Sequence, residues 1–290
     1  MLNLSAYYQP DSLAEALALL THSGGELRPL AGGTDLVPAL AKGETHLDGL
    51  VDLCKIPELR GISRVDDQIR IGSLSTFRDI ENSPLLQPAS LLREAAAAVG
   101  SPQIRSQGTI GGNIANASPA ADTVTALVAL KALATLESAA GSRSVPVSEL
   151  LCGVGKTKIR PGEVIKEILF QVPPQGSSSG FIKLGRRKAL AIARMNLAII
   201  ITVEAGRISR ARVALGAVGP NPSRRPALEL VLIGQEQSLP LIDTFIIAAE
   251  KEVSQMLGTR PSVSYKREAV KGIARELLHR LFFGTGQVVG

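Results

Sequence analysis

Two glycine pairs are the residues of this chain best suited to hold a ligand. Leu30-Ala31-Gly32-Gly33-Thr34-Asp35-Leu36 and Thr109-Ile110-Gly111-Gly112-Asn113 share one design: an apolar lead-in, Gly-Gly, then a short polar residue. Glycine tolerates positive φ, and without a side chain it lets a ligand press against the backbone. Successive free N–H groups in such a turn form a concave nest for an anion. Two nests match the two phosphates of a dinucleotide. Beyond the second pair, Asn113, Asn116, Ser118 and Asp122 stand among alanines and offer partners to hydroxyl groups.

Other chemistry finds little support. Gly153-Val154-Gly155-Lys156-Thr157 imitates the end of a phosphate-binding loop, but Leu150 stands where that motif requires its first glycine. A tight turn is the better reading. Neither glycine pair carries Gly-x-Gly-x-x-Gly, which disfavours a doubly wound dinucleotide fold. His22, His46 and His279 fit neither a nucleophilic triad nor metal-ligand spacing. A chain without an evident acid, base or nucleophile suits a protein whose reactive atoms belong to a cofactor.

The elements that must position the turns read as α+β without strict strand–helix alternation. Ser12-Leu13-Ala14-Glu15 has the pattern of a capping box opening a helix through Leu20. A strand over 27–31 enters the first pair, and a helix over 35–41 leaves it. Short strands follow at 50–53 and 69–71, then helices at 76–81 and 90–99. The second pair reads as a turn, followed by a helix over 123–130 and strands at 134–137 and 164–172. Val147 to Leu151 reads as a short helical turn. Pro173-Pro174-Gln175-Gly176-Ser177-Ser178-Ser179-Gly180 reads as a linker. Strands are expected at 181–186, 197–204 and 208–218, the last two joined by a hairpin at Ala205-Gly206-Arg207. Helices at 241–257 and 266–281 close the chain. This places one domain at 1–175, with subdomains of about 1–57 and 58–175, and a second at 181–290.

Bulk properties bound the function. The 290 residues are 45% hydrophobic and 20% charged, an ordinary globular balance. Leu197-Ala198-Ile199-Ile200-Ile201-Thr202-Val203 is far too short to span a bilayer and suits a buried strand. Met1-Leu2-Asn3-Leu4-Ser5 lacks the pattern of a secretory leader, so a cytoplasmic location is expected. Cys54 and Cys152 read as two buried reduced thiols, too few to hold an iron–sulfur cluster. The net charge of +6 concentrates in Lys183, Arg186, Arg187, Lys188, Arg194, Arg207, Arg210, Arg212, Arg224 and Arg225, with Glu204 the one acid among them. No aromatics interleave for base stacking, so a nucleic-acid partner is not expected.

Taken in order, several segments carry a resemblance. They are Leu30-Ala31-Gly32-Gly33-Thr34-Asp35, Gln103-Ile104-Arg105, Thr109-Ile110-Gly111-Gly112-Asn113, Ala117-Ser118-Pro119 through Asp122, Gly162-Glu163-Val164-Ile165, and Lys183 with Arg186-Arg187. Over its full length the chain resembles the FAD-binding medium subunit of the molybdenum hydroxylases, the xanthine dehydrogenase and carbon monoxide dehydrogenase family. The resemblance implies a p-cresol methylhydroxylase-type FAD domain of two subdomains, followed by a smaller C-terminal α+β domain. It implies FAD contacts from Arg28, Pro29, Leu30, Ala31, Gly32, Gly33, Thr34 and Asp35, and from Thr109, Ile110, Gly111, Gly112 and Asn113. Asp122 would bond ribityl hydroxyls, Ile165 would pack near the flavin, and Lys183 would reach its polar edge.

The resemblance also implies a large molybdenum-cofactor subunit and a small subunit with two [2Fe–2S] clusters, assembled as a dimer of heterotrimers. This chain would collect electrons from those clusters and pass them to an external acceptor. Relatives often carry Asp followed by Ile or Tyr soon after the Arg-Arg pair. Here Ala191-Ile192 take those positions, so no aromatic stacking partner is expected there and NAD is a doubtful acceptor. A stand-alone FAD reductase of the same fold and a scaffold subunit without cofactor are the alternatives; the intact glycine pairs argue against the second.

Overall fold

A computed structural model describes residues 4–23, 26–187 and 190–284. Lys188, the leading Met1-Leu2-Asn3 and the last six residues lie outside them. The chain forms three units, each with its own sheet.

The first unit alternates strictly: β1 (Ala6–Tyr8), α1 (Leu13–His22), β2 (Leu27–Leu30), α2 (Leu36–Ala41) and β3 (Gly49–Asp52). The sheet is parallel in the order β1-β3-β2. The sequence hid this alternation because β1 is only three residues long. Ser12 caps α1 by accepting from the Glu15 N–H at 3.2 Å. Glu15 reaches back to the Asp11 N–H instead of that of Ser12, so the capping box is only half made. Leu13, Leu17 and Leu20 pack on Val51, Leu53 and Ile56.

The second unit comprises β4 (Ile62–Val65), β5 (Gln68–Gly72), α3 (Phe77–Asn82), α4 (Ser90–Ala97), α5 (Pro102–Gln107), α6 (Ile110–Asn116), α7 (Asp122–Ala129), β6 (Leu133–Ser138), β7 (Gly141–Pro146), α8 (Val147–Leu150), β8 (Leu151–Gly153), β9 (Lys156–Thr157) and β10 (Val164–Gln171). Its main sheet is antiparallel in the order β4-β5-β10-β6-β7. The phosphate-loop imitation is a hairpin of β8 and β9. Every residue of α7 is buried: its valines, leucine and alanines pack in the core, and Asp122, Thr123 and Thr125 are each hydrogen-bonded within the protein.

The third unit contains β11 (Ser177–Leu184), β12 (Met195–Glu204), β13 (Arg207–Gly216), β14 (Ser223–Arg224), α9 (Pro226–Leu232), α10 (Leu239–Leu257) and α11 (Val263–Phe283). Its antiparallel sheet runs β11-β12-β13-β14. One face, with Leu197, Ile199 and Val213, packs on Phe245, Val253 and Leu277 of the long helices. The other face, with Phe181, Ala198, Ile200 and Ala214, joins the core that contains α7. Burial on both faces explains the continuous apolar run of β12. Ala205 and Gly206, at φ 51° and 77°, make the tight turn into β13.

Three expectations are corrected. Ser177 to Gly180 are not linker but the start of β11, paired with β12. Cys152 is exposed and only Cys54 is half-buried, because β8 lies at the surface. The basic run is also less naked than its sequence implies. Acids from elsewhere pair with Lys183 (Asp122), Arg207 (Glu236), Arg224 (Glu229) and Arg225 (Glu252).

The second and third units are joined through a buried polar chain. Asp122 on α7 accepts from Lys183 Nζ at 2.6 Å and from Asn196 Nδ2 at 2.9 Å. Asn196 Oδ1 in turn accepts from Thr125 Oγ1 at 2.9 Å. Gly216 lies against Asn196 Oδ1 and Thr125 Oγ1, with no room for a Cβ. Gly216→Ala is expected to cost about 2 kcal/mol or more through overpacking and loss of these bonds. A thermal melt checks this; an unchanged Tm would refute it.

Candidate functional site

A cleft of about 370 Å³ opens between the first and second units. Its walls come from the segment leaving β2, the start of α6, the end of β5 and the start of β10. The two glycine pairs, far apart in sequence, face one another across it. Gly32 lies directly on the Gln107–Gly108 backbone: a Cβ there would collide with the Gln107 carbonyl. Asn116 Nδ2 donates to Asp35 Oδ1 at 3.2 Å and ties the same two segments.

The pairs differ in what their backbones do. At the first, Gly33 takes a left-handed φ of 68°, which glycine adopts without strain. Among the described residues, the N–H groups of Gly32, Gly33, Thr34 and Asp35 meet no acceptor. Four adjacent free donors on a cleft wall form an anion nest.

The second pair is not a turn but the opening of α6. Thr109 is its N-cap and accepts from the Gly112 N–H at 3.2 Å. The N–H of Ile110 bonds Ser75 O at 3.0 Å, that of Gly111 bonds Ser73 O at 2.9 Å, and that of Asn113 bonds Thr109 O at 3.0 Å. These donors are already used, so this pair is not a second nest. Its glycines serve closeness: a Cβ on Gly111 would sit 2.6 Å from Ser73 Cβ.

The remaining expected residues divide. Arg28, Pro29, Leu30, Ala31, Thr34 and Asp35 line the cleft, as do Thr109, Gly111, Gly112, Asn113 and Ile165. Asn113 Oδ1 is held by Thr123 Oγ1 at 2.7 Å. Ile110 does not line it; its side chain is fully buried in the core. Nor do Asp122 and Lys183, which are buried and bonded to each other. A carboxylate so enclosed needs a cation, and Lys183 is that cation. Burial pushes the Asp122 carboxyl up, and Lys183 with Asn196 opposes the rise.

Sequence reasoning missed other cleft residues, among them Thr45, Ser73, Phe77, Gly155 and Glu163. They come from stretches far apart in the chain, and the resemblance implies a cofactor contact for none of them. Glu163 forms a two-pronged ion pair with Arg143, at 2.7 Å to each oxygen, and accepts from the Arg160 N–H at 2.8 Å.

Comparison with known proteins identifies this architecture. Residues 2–174 match the family model described as the FAD binding domain in molybdopterin dehydrogenase. Residues 181–281 match the CO dehydrogenase flavoprotein C-terminal domain. The chain belongs to this family.

Its relatives include the nicotinate dehydrogenase FAD-subunit of Eubacterium barkeri, 35% identical over 93% of this chain and 94% of that protein. The carbon monoxide dehydrogenase medium chain of Afipia carboxidovorans is 32% identical over 94% and 95%. A solved structure of carbon monoxide dehydrogenase from Hydrogenophaga pseudoflava superposes with a TM-score of 0.89, covering 97% of this chain and 98% of that one at 30% identity. The protein is thus the FAD-binding component of an oxidoreductase of the molybdopterin dehydrogenase type, and FAD is its cofactor. No described helix is long and apolar enough to cross a membrane.

The loop after β11 carries Ile192 at 83% exposure, so this side chain projects into solvent. The Arg143 hydrogen bonds hold the Glu163 carboxyl below the usual glutamate range. Its folded value lies below its unfolded one. The pair therefore contributes stability above about pH 4.5 and loses it as pH falls through the folded value. Glu163→Gln is expected to lower Tm near neutral pH and to flatten the acid limb of Tm against pH. Melts at stepped pH check this; parallel curves for parent and variant would refute it.

Proposed function

We propose that the nest at Gly32 to Asp35 holds the FAD pyrophosphate, and that the chain serves as the electron-transfer subunit of a molybdenum-dependent hydroxylase or dehydrogenase. The observation that carries the first part is the run of four free backbone donors on the cleft wall. An anion there satisfies N–H groups that otherwise have only water. Arg28 adds a positive charge to the same wall. The missing Cβ at Gly32 lets that wall lie on the Gln107–Gly108 backbone, and glycine at position 33 allows the left-handed φ of 68° that turns the chain there.

Bound FAD supplies two-electron chemistry with the ability to accept electrons singly. The residues of this chain bind it, exclude water and fix its position. The α6 start, with Thr109 and Asn113, forms the opposing wall, and Ile165 gives that wall an apolar surface. The Asp122–Lys183 pair fastens α7 to β11. A large molybdenum-cofactor partner would carry the substrate chemistry, and a small partner with two [2Fe–2S] clusters would deliver electrons to this subunit. An external acceptor would receive them. A dimer of heterotrimers in the cytoplasm is the assembly in keeping with this role.

Two measurements test the reading. Gly33→Asp places a carboxylate at the nest and is expected to yield a colourless protein, where the parent is yellow with a flavin absorbance spectrum. Gly33→Ala carries the backbone strain without the charge and should retain part of the flavin. Equal flavin content in the parent and Gly33→Asp would overturn the nest assignment. Native mass spectrometry of the complex tests the second part. Partners bearing molybdenum and iron are expected; a flavoprotein that turns over alone would favour the stand-alone reductase.

A further inference from the structure

Beneath the free donors at Gly32 to Asp35 lies a buried carboxylate that the cleft itself does not use. Asp52, at the end of β3, is 6% exposed. It accepts from Tyr7 Oη at 2.6 Å, from Gln9 Nε2 at 2.9 Å and from the Cys54 N–H at 2.9 Å. Burial works to raise this carboxyl, but the hydrogen bonds from Tyr7, Cys54 and Gln9 outweigh it and hold it below the usual aspartate range. The group is thus a fixed anion that clamps β1 and the Cys54 backbone to the end of β3.

Cys54 extends this clamp to the cleft. Its Sγ donates to the Ala31 carbonyl at 3.4 Å. Asp52 also lies close to the thiol, but it already accepts from three donors, and among the described residues the thiol meets hydrogen-bond geometry only toward Ala31. Burial, with Asp52 beside it, pushes the thiol up to about 11, so it keeps the proton it donates.

The Ala31 carbonyl and the Gly32 N–H belong to one peptide unit. That unit is planar and trans, so the two groups point in opposite directions. Anchoring the carbonyl on Cys54 turns the Gly32 N–H away from Cys54. Among the described residues that N–H has no acceptor, and Gly32 lines the cleft.

We infer that Cys54 and Asp52 are positioning residues for cofactor binding: Asp52 holds Cys54, and the Cys54 thiol orients the Ala31–Gly32 peptide so that its N–H faces the anion. This rests on the proposed pyrophosphate site at Gly32 to Asp35. It assigns the thiol a role as a hydrogen-bond donor, with no covalent or redox step.

Titration of the flavin-free full-length chain with FAD, followed by quenching of flavin fluorescence, tests the inference. Cys54→Ala is expected to weaken FAD binding by about fivefold to tenfold, the loss of one modest hydrogen bond. Cys54→Ser keeps a donor and is expected to restore affinity to within about twofold of the parent. Cys54→Val fills the space without a donor and reads the same loss should alanine leave a destabilising void. Asp52→Asn keeps the shape but loses the fixed anion, and should weaken FAD binding in the same direction. Parent-like affinity in both Cys54→Ala and Cys54→Val overturns the inference, as does Cys54→Ser as weak as Cys54→Ala. A purely packing role for Cys54 would predict that last result. Parent-like FAD binding by Gly33→Asp is a separate outcome and would remove the site on which the inference rests.

Discussion

The backbone of Gly32 lies on the Gln107–Gly108 backbone with no space for a side chain between them. That contact brings the parallel unit against the antiparallel one and sets the width of the cleft. Its neighbours reinforce it: Asp35 receives Asn116, and the start of α6 is drawn onto the end of β5 by the Gly111 N–H and Ser73 carbonyl. Everything proposed for the cofactor depends on these two backbones remaining this close.

Close backbone approach has a consequence for polar groups. Each N–H must find an acceptor or face solvent or a ligand. At α6 the protein supplies the acceptors, from Ser73, Ser75 and Thr109. At Gly32 to Asp35 the described residues supply none. The two glycine pairs therefore do different work despite similar sequences. One lets two elements touch, and the other presents donors outward.

Buried charge is used sparingly and always with partners. Asp52 gathers three donors at the edge of the first unit, and Asp122 gathers Lys183 and Asn196 at the junction of the second and third. Such groups would be costly alone, but fully bonded they fix the relative position of the elements they bridge. Asp122 and Lys183 thus belong to the framework around the cleft and not to its walls.

The glycine pairs, the apolar run of β12 and the amphipathic helices α10 and α11 were legible because each is a local pattern of residue type and spacing. The family resemblance, carried by ordered short segments, was legible for the same reason, and with it the cofactor. Tertiary structure alone decided the rest. Whether a glycine's N–H is free depends on carbonyls such as Ser73 O, supplied from far along the chain. Whether Lys183 meets solvent or a carboxylate depends on α7 packing against β12 and β13, which brings Asp122 beside β11. Sequence determines what each backbone stretch can do; the partners that arrive by folding determine which of those options remains open, because a hydrogen-bonding group already satisfied within the protein is no longer available to a ligand.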